Sequence, residues 1–117
     1  MSKNLQITGN ATAGEARKFK YYAKALRIDE SALANLLLAR ELFRKALQNH
    51  YTISGQPCTK TITAHFESPQ FKEEFASYAL TLNLSQRTVA GAVFCQELKE
   101  QWLAKEVRGG LIDLDSI

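Results

Sequence analysis

The chain registers on itself. Shifted by 56 positions, residues 15–47 fall on residues 71–103 with eight identities in 33 positions. Phe19 meets Phe75, Tyr22 meets Tyr78, Ala23 meets Ala79 and Leu26 meets Leu82; then Ala34 meets Ala90, Glu41 meets Glu97, Leu42 meets Leu98 and Leu47 meets Leu103. Most of these positions lie on apolar faces that a repeated unit would have to keep. A period of this length constrains the architecture before any single motif is read.

Each copy opens on a short alternating segment. Asn4-Leu5-Gln6-Ile7-Thr8 puts Leu5 and Ile7 on one face, and Lys60 to Phe66 puts Ile62, Ala64 and Phe66 on one face. Period-two alternation predicts a half-buried strand. A helix follows each strand. Thr12-Ala13-Gly14-Glu15 has the form of a capping box, and Ser68-Pro69 places an N-cap before a proline at the first helical position. Phe19, Tyr22, Ala23 and Leu26 then recur at helical spacing, as do Phe71, Phe75, Tyr78, Ala79 and Leu82. A second helix begins at a cap in each copy, Asp29 and Ser85, and is predicted to run to about Leu47 and Leu103.

The expected organisation is thus a strand–helix–helix unit over 3–47, a linker over 48–59, a second unit over 60–104 and a loose tail over 108–117. One such unit leaves its strand edges open and cannot enclose a core. Two solve both problems if their strands pair. The predicted fold class is mainly α with a two-stranded antiparallel β-ribbon, the strand–helix–helix unit occurring twice as a single-chain pseudo-dimer.

Charge adds a hint about partners. The 117 residues carry a net +3, of which the first 50 hold +5 and the rest −2. A basic first half suits an anionic partner. No run of 18 apolar residues suggests a membrane span, and no signal-type stretch opens the chain, so the expected compartment is the cytoplasm. Cys58 and Cys95 have no metal spacing and are expected reduced, Cys95 as a core residue.

Leu82-Asn83-Leu84-Ser85-Gln86-Arg87-Thr88-Val89 resembles the turn and second-helix start of ribbon-helix-helix DNA-binding proteins, the Arc and MetJ class. Leu26-Arg27-Ile28-Asp29-Glu30-Ser31-Ala32-Leu33 is similar, with acids where that class has a small hydroxyl residue. The tandem form is similar to accessory proteins of plasmid conjugation machinery. The resemblance implies a ribbon that enters the major groove and reads base edges with outward side chains. Carried over, the readers are Asn4, Gln6 and Thr8 from one strand and Thr61, Thr63 and His65 from the other. Phosphate contacts would come from Lys3 and Lys60 at the strand starts and from Ser31, Ser85 and Arg87 at the starts of the second helices. Asp29 and Glu30 repel a phosphate, so Asp29 is better read as a plain N-cap. Two unlike strands would read a non-palindromic element.

No catalytic constellation is present: no HExxH, GxSxG, P-loop or dinucleotide fingerprint, and histidines only at 50 and 65. No enzyme activity, cofactor or metal is expected. Trp102 reads as core or as a contact for a second chain. The expected function is sequence-specific binding of double-stranded DNA, as a transfer or processing accessory factor or as a repressor, with self-association on adjacent sites. The alternative is a helical interaction module whose acidic–apolar tail, Gly110 to Ile117, grips a protein partner in the manner of an antitoxin.

Overall fold

The computed structural model describes residues 6–45, 58–66 and 68–115. The elements are β1 (Gln6–Ala11), α1 (Ala13–Ala25), α2 (Glu30–Arg44), β2 (Lys60–His65), α3 (Pro69–Thr81), α4 (Gln86–Glu100) and α5 (Trp102–Arg108). The fold is mainly helical with one two-stranded antiparallel sheet. α1 and α3 begin and end 56 residues apart, as do α2 and α4.

Local chemistry accounts for the helix boundaries. Thr12 caps α1 in a reciprocal box: Glu15 N donates to Thr12 Oγ1 at 3.1 Å, and Thr12 N donates to Glu15 Oε1 at 2.8 Å. Asp29 caps α2 by accepting from Ser31 N at 3.1 Å, and Ser85 caps α4 by accepting from Thr88 N at 3.1 Å. Pro69 opens α3, although Ser68 makes no side-chain cap bond. The turns between paired helices use left-handed residues at matching positions, Arg27 (φ 58) and Asn83 (φ 59). Lys45 and Gln101, both at φ 52, stop α2 and α4 in the same way.

The halves interlock. α2 lies against β2 and α4 against β1, so each second helix covers the strand of the other half. The core between them holds Phe19, Tyr22, Leu33, Leu38, Phe75, Val89 and Phe94, with Ile7, Ile62 and Ala64 pointing down from the ribbon. The Phe19 and Phe94 rings meet at 5.3 Å across the two halves. Two buried carboxylates sit in this interior, each bonded by a tyrosine from the opposite half. Tyr22 Oη donates to Glu97 Oε2 and Tyr78 Oη donates to Glu41 Oε2, both at 2.5 Å. An isolated buried carboxylate is strongly disfavoured, and at both sites a hydroxyl from the other half helps to relieve it.

Four expectations need correction. β1 runs to Ala11 rather than ending at Thr8. Gly9 looks like a terminator in sequence but is a packing residue: a Cβ there would lie 2.7 Å from Gly91 N and from the Phe94 ring. The last long helix does not continue to Leu103. It stops at Gln101, and a separate helix α5 begins at Trp102, its first turn held by Leu103 N donating to Glu97 Oε2 at 2.8 Å. The expected loose tail is seated: Ile112 and Leu114 are buried, and the Gln101 amide bonds the Ile112 main chain in both directions, at 2.6 and 2.8 Å. Finally, Cys95 is half-buried rather than core. Burial and the adjacent Glu15 carboxylate push its thiol up to about 11.

The stretch 48–57 of the expected linker lies outside the described residues, as does Leu47. Trp102 is half-buried, with the Arg40 guanidinium 4.0 Å above its ring.

Candidate nucleic-acid interface

The ribbon has two chemically different faces, set by the period-two alternation of its strands. Ile7, Gly9 and Ala11 from β1, and Ile62 and Ala64 from β2, face the helices. The opposite face presents Gln6, Thr8 and Asn10 beside Thr61, Thr63 and His65. The register pairs Gln6 with His65, Thr8 with Thr63 and Asn10 with Thr61. All six are amides, hydroxyls or an imidazole, and none is apolar. Neighbours touch across the strands: Gln6 Nε2 lies 3.3 Å from His65 Nδ1, and the Thr8 and Thr63 hydroxyls lie 3.4 Å apart.

Five of the expected readers, Gln6, Thr8, Thr61, Thr63 and His65, therefore come together in one row. Asn4 and Lys3 lie outside the described residues. Asn10 takes a place in the row that the sequence did not assign. The alternation Gln6, Thr8, Asn10 does continue in the sequence, but it passes through Gly9, and a glycine weakens a strand unless another element packs closely on it.

The phosphate candidates are less uniform. Lys60 is exposed at the start of β2, next to Thr61. Ser85 and Arg87 are exposed at the start of α4. At the start of α2 the Ser31 backbone N–H donates to the Asp29 carboxylate, which caps the helix there. The two helix starts thus differ in charge, Asp29-Glu30 at α2 and Ser85-Gln86-Arg87 at α4.

No family model, curated protein or solved structure matches this chain.

Among the described residues, no cluster of three His, Cys, Asp or Glu side chains could hold a metal ion. No described helix is long and apolar enough to cross a membrane. The titratable groups with shifted values lie away from the ribbon face. Glu97 is pushed above the ordinary carboxylate range by burial, against the opposing hydrogen bonds from Tyr22 and from the Leu103 and Trp102 amides. Tyr22 is raised, first by burial and then by its bond to Glu97. Glu15 is lowered: burial opposes the shift, and the bonds from Cys95 and from Thr12 outweigh it. Each of these groups is held by a structural hydrogen bond, in the core or at a helix cap.

Proposed function

We propose that the chain is a sequence-specific double-stranded DNA-binding protein, a tandem ribbon-helix-helix pseudo-dimer that reads the major groove with its β-ribbon and carries out no catalysis. One observation carries this reading: a two-stranded antiparallel ribbon whose outer face is a continuous row of Gln6–His65, Thr8–Thr63 and Asn10–Thr61. A two-stranded ribbon fits the major groove, where each base pair offers a distinct set of donors and acceptors. Gln and Asn amides can bond adenine in a bidentate manner, and the threonines offer a hydroxyl to base edges and a methyl to thymine.

The tandem arrangement is supported by the 56-residue spacing of the helices and by the reciprocal Tyr22–Glu97 and Tyr78–Glu41 bonds. A role in plasmid transfer or in repression rests on resemblance alone. Tail capture by a protein partner is the weaker reading, because Ile112 and Leu114 are engaged with the chain's own core.

Selection from a random duplex library tests the proposal, with wild type and a Gln6→Ala/Thr63→Ala variant run in parallel. Enrichment of a short motif by wild type, lost by the variant, is the expected result. Binding should also weaken steeply with salt, through counterion release from the phosphates. Failure of wild type to enrich any motif at low salt would sink the proposal.

A further inference from the structure

The two ends of the outer row are held in place by different means. At one end, the main chain of His65 turns its N–H and its C=O toward the outer edge of β2, where no third strand among the described residues pairs with them. A single side chain takes both. His65 N donates to Asn35 Oδ1 at 2.9 Å, and Asn35 Nδ2 donates to the His65 carbonyl at 2.5 Å. A primary amide offers the same acceptor and donor as the peptide group of a neighbouring strand, so Asn35 supplies one missing rung of the ladder.

The other end has no such rung. The residue 56 positions after Asn35 is Gly91, on α4, which lies against β1. A Cβ on Gly91 would fall 2.3 Å from the Asn10 carbonyl oxygen. There the helix main chain itself abuts the strand edge at Asn10. One end of the row therefore depends on an amide and the other on direct backbone packing.

His65 is the last residue of β2, where a strand would otherwise fray. Its side chain is in contact with Gln6 across the ribbon. A shift of the His65 main chain would carry its side chain with it and alter that contact.

We propose that Asn35 is a positioning residue for the Gln6–His65 end of the reading face: it sets base preference there without touching DNA. This rests on the DNA-reading function proposed above. It gives the ribbon a built-in polarity, since the Asn10–Thr61 end does not depend on Asn35.

The test compares wild type with Asn35→Ala and the size-matched Asn35→Leu. In the free proteins, hydrogen exchange of the His65 amide should quicken by about tenfold or more in both variants, while Ile7 and Ala64 stay protected. In duplex selections, Gln6→Ala and Thr61→Ala assign motif positions to the two ends. The Asn35 variants should then lose preference at the Gln6–His65 positions, keep it at the Asn10–Thr61 positions, and leave the salt dependence unchanged. Variants that keep the full wild-type motif would overturn the proposal, as would variants that lose both ends equally. A wild-type protein that enriches no motif fails the DNA-reading function itself, a result scored on wild type and so distinct from a failure of Asn35.

Discussion

Glu97 shows how one residue can carry tertiary structure and pH dependence together. Its carboxylate accepts from the Tyr22 hydroxyl of the other half and from Leu103 N at the start of α5. The Tyr22 hydroxyl in turn accepts from Ala104 N at 3.1 Å. Burial raises the Glu97 carboxyl above its ordinary value of 4.5. Between that value and the raised one, the folded chain binds more protons than the unfolded chain at this site. The stability Glu97 contributes is therefore fully present below the ordinary value and is lost as pH rises through the raised one. Relative to Glu97→Gln, which does not titrate, wild type should gain melting temperature as pH falls from neutral toward 4.5. Parallel melting temperatures across that range, measured by circular dichroism, would refute the assignment. In the sequence, Glu97 was visible only as a repeated acid matching Glu41. Nothing local marks it as buried, because its partner lies 75 residues away.

At the scale of elements, the packing of α4 on β1 turns on two glycines. Gly9 and Gly91 let main chain meet main chain, and neither position can accept a Cβ without displacement. Gly91→Ala should lower unfolding free energy by roughly 1–3 kcal/mol or more, as overpacking of a filled contact does. Gly14→Ala is the matched control. A Cβ there meets only Thr12 Oγ1, at 4.0 Å, and the substitution should be neutral or stabilising by up to about 1 kcal/mol. Urea denaturation of the two variants separates the cases, and equal effects would contradict the close approach. The helices themselves were legible in sequence because caps and apolar spacing are local signals; Thr12, Asp29 and Ser85 all cap as their residue types predict. The end of β1 and the start of α5 were not. Gly9 reads as a breaker until α4 is seen beside it, and the break at Gln101 rests on a bond from Glu97 to an amide two residues beyond it.

The whole molecule is built so that neither half encloses its own core. Each second helix covers the other half's strand, and each buried carboxylate takes its hydroxyl from across the interface. A fragment ending at residue 57 and one beginning at residue 58 should each lack stable structure alone and recover helical circular dichroism when mixed. A fragment that folds by itself with a cooperative melt would refute the interlock. The sequence by itself determined the mainly helical class, the strand–helix–helix order, the helix caps and the alternation that gives each strand a polar face, since these follow from spacing within a few residues. Only the tertiary structure decided the register that aligns Gln6 with His65, the place of Asn10 in the row, the hold of Asn35 on the strand edge and the seating of the tail beside Gln101. The register and the hold of Asn35 depend on groups far apart in the chain, whose approach is set by how the two halves pack; the tail meets Gln101 from 11 residues away, through a side-chain bond to main chain that no local period marks.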